Sequence, residues 1–376
     1  ADAFSRFGWH CAFATATSPP KALTESGFEI GPRLPENEPD ALAEVWPSGC
    51  DLLVIDHYEK DLTFENSCRP WAKHLMAIED VANRTHDCEF LLDSNATRSE
   101  SDYAGLIVNQ CSLLLGPAFV PLRREFAHRR QRAAKRLLSE KEPYRLLITL
   151  GGTAQAEFIQ KVLEATDQIK LSLAIDIIST DELALRGHIS AVQRPNKVKL
   201  HNAVSEMDSV IMNSDLAIGA AGINSWERCC LGLPSLVVAI ADNQLENARN
   251  LVAAGAADQI YIKDDSAVIR DRILSLIQDP ENWGQMSRNA FKQCDGLGAV
   301  RVAEAVNSRL LRPDEPRVNL RPIQHSDGER LYEWQNDRRI RQYSRNPNSP
   351  SREQHFAWVD RKLSDPASIA SLILFN

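Results

Sequence analysis

Short apolar runs alternate with amphipathic stretches along most of the chain. In the first half, CAFATA, DLLVIDHY, HLMAIED, FLLDSN and CSLLLGP read as strands, with PKALTESG and DALAEVWPSG as helices among them. Buried runs separated by helices predict βαβ units and a mostly parallel sheet. The opening ADAFSRFG reads as the end of a helix stopped at Gly8, and WHCAFATA as a strand after it. The polar stretch RRQRAAKRLLSEKEPY loses core periodicity after Leu138, which sets a first domain at 1–140. A second alternation starts at RLLITLGG. Phe158, Ile159, Val162 and Leu163 fall on one helical face, and LSLAIDIIS, VKLHNA, LAIGAAG and LPSLVVAI continue as strands. These predict a second doubly wound α/β domain over 141–312. Pro313 and Pro316 mark a linker to a third segment, 317–376.

Composition narrows the function classes. The chain has 376 residues, 43% hydrophobic and 25% charged, with a net charge of −8 that argues against a general nucleic-acid binder. No apolar run is long enough to span a bilayer and no secretory pattern is present, so the expected location is cytoplasmic. Eight cysteines at irregular spacing form no CxxC pair, which predicts free thiols in a reducing compartment and no metal site. The basic run Arg123–Arg136 reads as a solvated helix face, with a phosphate-binding patch as the alternative.

Ligands of doubly wound sheets bind beyond the C-terminal strand ends, so strand-end turns are the informative positions. LAIGAAGINSWERCCLGLP places Gly219–Gly222 between a strand and a helix starting near Asn224, with Ser225 and Glu227 in the first turns. Small residues and free N–H groups there suit a phosphate, and a carboxylate at Glu227 suits a vicinal ribose diol. The alternative is an ordinary βα turn with Glu227 as a dipole partner. Gly151, Gly152 and Thr153 of ITLGGTA repeat the logic, as diphosphate contacts or as a tight turn and N-cap. Asn243 and Gln244 start another helix, where amides read sugar hydroxyls or cap. Asp56, His57 and Tyr58 emerge together from an apolar strand, a candidate cleft wall with acid–base capacity, or a self-satisfying polar cluster.

Taken together, LLVIDHY, AIEDVANRTHDCEFLLDSN, DYAGL, LLGPAFVPLRREF, LITLGGTA and GAAGINSWERCCLGLP resemble the UDP-2,4-diacetamido-2,4,6-trideoxy-β-L-altropyranose hydrolases of pseudaminic acid biosynthesis, over about 1–310. That resemblance implies a GT-B-like fold of two Rossmann-like domains facing a cleft, no metal or cofactor for the hydrolase, and a UDP-sugar as partner. It implies inverting attack of water on the anomeric carbon. Gly222, Ile223, Asn224 and Ser225 would lie at the substrate, near uracil and diphosphate. Glu227 would hold the ribose, Asn243 and Gln244 would face diphosphate or sugar, Tyr58 would be the cleft tyrosine, and Asn95 would line the cleft. The hydrolases carry a GxGHxxR turn that is absent here, so the expectation is an inactive chain that begins inside its first domain, with His57 as the substitute base if activity remains. The last sixty residues resemble the start of a GNAT-type N-acetyltransferase through Trp334, Asn336, Arg341, His355 and Trp358, which implies acetyl-CoA for a complete domain and a chain cut at both ends. A GT-B glycosyltransferase with a UDP-sugar donor, or a non-catalytic nucleotide-sugar binder, stands as the alternative.

Overall fold

Four of the five apolar runs of the first half, all but CAFATA, assemble into one parallel sheet. A computed structural model describes residues 1–33, 39–139, 142–151, 156–179, 185, 195–202, 204, 206–310, 318–337, 341, 348–365 and 371–375. The chain divides into two units, 1–307 and 308–376.

The first unit opens with a helical turn, Asp2–Ser5, that Gly8 stops at φ +83° while Trp9 N–H returns to the Phe4 carbonyl. The strand expected over WHCAFATA is shorter than its pattern suggests. Only β1 (Ala12–Phe13) forms, parallel to β2 (Glu29–Ile30), and both are at least half exposed, so neither buries a face that would extend the pairing. β3 (Leu53–Asp56), β4 (Leu75–Ile78), β5 (Phe90–Asp93) and β6 (Ser112–Leu115) then lie side by side in chain order, all parallel. β4 and β5 are the inner strands, and Leu75, Met76, Phe90 and Leu91 are fully buried. Register pairs Asp56 with Ile78 and Ile78 with Leu92, so three strands end level on one rim.

The second sheet contains β7 (Tyr144–Thr149), β8 (Leu173–Ile178), β9 (Lys197–His201), β10 (Leu216–Ala220), β11 (Ser235–Val238) and β12 (Asp258–Gln259). Their order is β12-β11-β10-β7-β8-β9, all parallel. The chain starts at the centre, winds outward to β9, and returns to β10 beside β7. This doubly wound order leaves a crevice where the winding reverses, above β7 and β10. One face is closed by the helix Ala156–Asp167, whose Phe158, Ile159, Val162 and Leu163 pack on Leu146, Ile148 and Ile175. The other is closed by the helix Ile223–Cys230, through Trp226, Cys229 and Cys230. Each such side chain contributes on the order of 1.5–3 kcal/mol of burial.

The basic run is a solvated face in part: Arg123, Arg124, Arg132 and Lys135 are exposed, whereas Arg130 and Arg136 turn inward. It forms the helix Arg124–Ala133 and the turn after it. Arg130 donates to the carbonyls of Cys230, Cys294 and Phe291 at 2.9, 2.7 and 2.6 Å and stacks on the Phe291 ring. Arg136 donates to those of Leu231, Ser214 and Ile211 at 3.0, 2.6 and 2.8 Å. These carbonyls lie at the ends of three helices, where intrahelical donors run out, and a guanidinium supplies five donors. Burial pulls the Arg136 pKa down to about 10.

In the second unit β13 (Val318–Pro322) runs antiparallel to β14 (Ser371–Phe375), with the helices Gly328–Asn336 and Arg352–Ser364. His355 is buried there, bonded to Gln335 Oε1 at 2.7 Å and the Gly328 carbonyl at 2.9 Å, with Tyr332 and Trp358 beside its ring. Among the described residues no helix is long and apolar enough to cross a membrane.

Candidate functional site

Level strand ends in the first sheet put three polar turns on one rim. Asp56 ends β3, and Asp56, His57 and Tyr58 are all exposed. Asp80 lies two residues beyond β4 and Asn95 two beyond β5. Tyr58 Oη donates to Asp80 Oδ2 at 2.8 Å. Asn95 Nδ2 and Arg98 Nη2 donate to the Asp80 carbonyl at 2.7 and 2.9 Å. Arg98 is in turn paired with buried Asp93, which also accepts from Tyr103 Oη at 2.7 Å. Arg84 holds the turn beneath Tyr58, donating to the carbonyls of His57 and Lys60 at 2.6 and 2.8 Å while pairing with Glu79. His57 Nδ1 accepts from the Glu59 N–H at 3.0 Å, so that nitrogen serves its own turn.

Charge is concentrated on this rim. The bond to Asp80, then burial, pushes the Tyr58 phenol up to about 12, so it is a donor throughout the physiological range. Burial, then the Asp80 charge, raises the Asp56 carboxyl, against a smaller lowering by His57.

In the second sheet β10 runs into Gly222, the N-cap of the helix Ile223–Cys230, with Ile223 exposed and Asn224 half-buried. A Cβ on Gly222 would lie 3.3 Å from Gln244 Nε2, and Gln244 Oε1 accepts from the Ile240 N–H at 3.2 Å. Ser225 is buried, with Oγ donating to the Gly222 carbonyl at 2.6 Å. Glu227, half-buried on the same helix, has no hydrogen-bond donor on its carboxylate among the described residues, and burial pushes its pKa up to about 7. Gly151 lies two residues beyond β7 with φ +82°, a conformation that favours glycine. Gly152 and Thr153 lie outside the described residues.

The two rims meet. Asn243 Nδ2 donates to Asp80 Oδ2 at 3.2 Å, and Thr97 Oγ1 donates to Glu246. Between them is a cavity of about 290 Å³, lined by Asp80, Asn95 and Arg98 from the first half and Asn243, Glu246 and Asn247 from the second. Asn247 joins it to the glycine turn, donating to the Ala221 carbonyl at 2.6 Å and to Ser225 Oγ at 3.1 Å. The structure thus gathers Tyr58, Asn95 and Asn243 around Asp80, which the strand-end argument passed over. AIED repeats the signal of VIDHY, an apolar strand finishing in acid. Among the described residues no cluster of His, Cys, Asp and Glu is placed to hold a metal ion.

Comparisons with known proteins bear on this arrangement. Residues 146–302 match the model of the glycosyltransferase family 28 C-terminal domain. The spore coat polysaccharide biosynthesis protein SpsG of Bacillus subtilis is 27% identical over 201 residues, 50% of this chain and 54% of that protein, so the chain spans about half its length. The UDP-2,4-diacetamido-2,4,6-trideoxy-β-L-altropyranose hydrolase of Campylobacter jejuni is 30% identical over 109 residues, 27% of this chain and 35% of that one. Among solved structures, MurG of Acinetobacter baumannii aligns over 82% of this chain and 93% of its own, with a TM-score of 0.56 and 13% identity. The spinosyn forosaminyltransferase SpnP aligns over 83% and 94%, at 0.57 and 14%. S. aureus MnaA, in its UDP co-structure, aligns over 81% and 97%, at 0.52 and 12%. The chain has a GT-B-like fold, two Rossmann-like α/β halves facing a cleft.

These findings correct the hydrolase assignment. Likeness to the hydrolase covers about a quarter of the chain, whereas likeness over four-fifths of it is to a fold represented by sugar transferases. The motifs quoted for the hydrolases build the shared scaffold, and a scaffold does not choose between water and another acceptor. The expected inactivity rested on a motif of those hydrolases and falls with the assignment. The acetyltransferase reading of 317–376, and acetyl-CoA with it, is also withdrawn. The likenesses found are to sugar-transfer folds, and the residues that suggested otherwise have local work. His355 fills the core of its unit, and Asn336 Nδ2 donates to the Tyr332 carbonyl at 2.9 Å. Trp334 is exposed, and Arg341 donates to the Asn348 carbonyl.

Proposed function

We propose that the chain is a glycosyltransferase that takes a sugar from a UDP-linked donor and passes it to a hydroxyl acceptor in the cytoplasm. The observation that carries the reading is the crevice above β7 and β10, where a glycine turn leads into a helix bearing a half-buried carboxylate without a hydrogen-bond donor among the described residues. Backbone N–H groups at Gly222, Ile223 and Asn224 suit the diphosphate, and Gly151 offers a close backbone approach from the neighbouring strand. Glu227 suits the ribose diol, whose two donors would replace the water that burial removes. Fold likeness to MurG, SpnP and the UDP-bound MnaA supports the same division of labour.

Transfer then needs little from the protein beyond placement. As the acceptor oxygen bonds to the anomeric carbon, the bond to the diphosphate breaks with its electron pair, and the helix N-terminus stabilises the departing charge. The acceptor proton passes to a carboxylate on the first-half rim, where Asp56 and Asp80 lie. The test is UDP release from a UDP-sugar with and without hydroxyl acceptors. Release that rises with acceptor supports transfer. Equal release in water alone refutes it, and absence of UDP binding by calorimetry refutes the nucleotide site.

A further inference from the structure

The Asp80 carboxylate has acceptor capacity that its protein partners leave unused. Its two oxygens offer about four lone-pair sites. Both donors that reach it, Tyr58 Oη and Asn243 Nδ2, go to Oδ2. Oδ1 is out of reach of water and has no hydrogen-bond partner among the described residues. Across the cavity Asn247 is in the same position. Its side chain is buried, its Nδ2 faces the Ala221 carbonyl, and its Oδ1 has no partner among the described residues. A carbonyl only accepts, so the orientation of that amide is fixed and Oδ1 must point elsewhere. Two unsatisfied acceptors therefore flank one cavity, one from each half. Buried acceptors left without donors are costly and rare in folded proteins, so a donor-rich occupant would relieve both.

We propose that this cavity takes the glycosyl group of the donor and that Asp80, on the half opposite the nucleotide, determines which sugar fits by accepting a hydrogen bond from a sugar hydroxyl or amide N–H. The inference rests on the UDP-sugar reading above. The volume suits one sugar ring, at the small end of the roughly 300–1,000 Å³ of small-molecule sites. Asp80 is held for the task, because Asn95 and Arg98 both bond to its backbone carbonyl. Its carboxyl torsion is soft, so a donor within the cavity reaches it by a small rotation.

The experiment uses the full chain and its Asp80→Asn and Asp80→Ala variants. Each is titrated calorimetrically with UDP, UDP-glucose, UDP-N-acetylglucosamine and UDP-N-acetylgalactosamine. At least one UDP-sugar should bind the wild type more tightly than UDP. In Asp80→Asn the amide oxygen stays with Tyr58 and Asn243, and an N–H₂ donor replaces Oδ1. The sugar's added affinity should fall about 10- to 100-fold, while the UDP constant stays within twofold. Asp80→Ala, which only deletes the acceptor, should lose less. A sugar increment that survives Asp80→Asn overturns the proposal, as does a wild type that gains nothing from any of the sugars. Equal weakening of UDP itself would show Asp80 to be structural and overturn it too. A wild type that fails to bind UDP refutes the nucleotide site first.

Discussion

Glu227 offers a perturbation whose sign reverses between stability and binding. Its folded pKa is about 7 against 4.5 for the free side chain, raised chiefly by burial. Between those values the folded protein keeps a proton that the unfolded chain has released. Stability is therefore full below about pH 4.5, falls as pH rises through 7, and levels off above it. Each decade of proton affinity corresponds to about 1.4 kcal/mol, so the ionised form costs on the order of 3 kcal/mol by pH 8. Glu227→Gln keeps the shape and is neutral throughout. Its Tm should match the wild type at pH 4.5 and exceed it at pH 8, by about 2–4 °C per kcal/mol. Binding should move the other way. An ionised carboxylate accepts both ribose hydroxyls, so wild-type UDP affinity should strengthen from pH 6 to 8 relative to Glu227→Gln. At pH 8 the variant should bind UDP about 10- to 100-fold more weakly. Thermal melts and calorimetry across this range test both. Melting curves of wild type and variant that stay parallel with pH would refute the burial argument, and an unchanged UDP constant would remove Glu227 from the ribose.

Other residues give independent checks. Arg136→Ala should cost about 2 kcal/mol or more, because the Leu231 and Ser214 carbonyls lose the guanidinium donor and Ile211 loses one of its donors, whereas exposed Arg132→Ala should stay within about 0.5 kcal/mol in urea unfolding. Gly219→Ala should destabilise by about 1–3 kcal/mol, since its Cβ would lie 2.4 Å from Arg228 Nη1 and that guanidinium is fully buried. A midpoint unchanged from wild type would show that Arg228 moves aside freely. Glu65→Ala should cost at least about 2 kcal/mol, leaving buried His86 Nδ1 and the Asp87 N–H without the carboxylate that holds them at 2.6 and 2.5 Å. A stability loss below 0.5 kcal/mol would mean that water replaces it.

Much of the element list is legible along the chain. The spacing of Phe158, Ile159, Val162 and Leu163 announces the helix that covers β7 and β8, and Gly8 and Gly222 stand where a helix stops and another starts. Such signals are local, since a periodic apolar face or a required backbone angle is set by neighbours in sequence. CAFATA shows the limit, because a strand pattern without a buried partner face yields only two paired residues. Arg130 and Arg136 show it again. Charge predicts exposure until helix ends short of intrahelical donors gather around the guanidinium, and those ends come from 207–212, 223–230 and 280–293.

The candidate site divides in the same way. Tyr58, Asn243, Gly222 and Glu227 were readable as polar or glycine positions at strand ends and helix starts, and Asn95 entered only through the resemblance. The meeting of Tyr58, Asn95 and Asn243 at Asp80 was not, because it depends on two things no local pattern encodes. One is the parallel register that brings Asp56, Ile78 and Leu92 level. The other is the return of the chain to β10 beside β7, which opens the crevice. Parallel strands of similar apolar composition do not name their neighbours. That choice is made by how the whole set buries its faces, so the sequence by itself determined the elements and their turn chemistry, and only the tertiary structure decided that Asp80 stands between Tyr58 and Asn243.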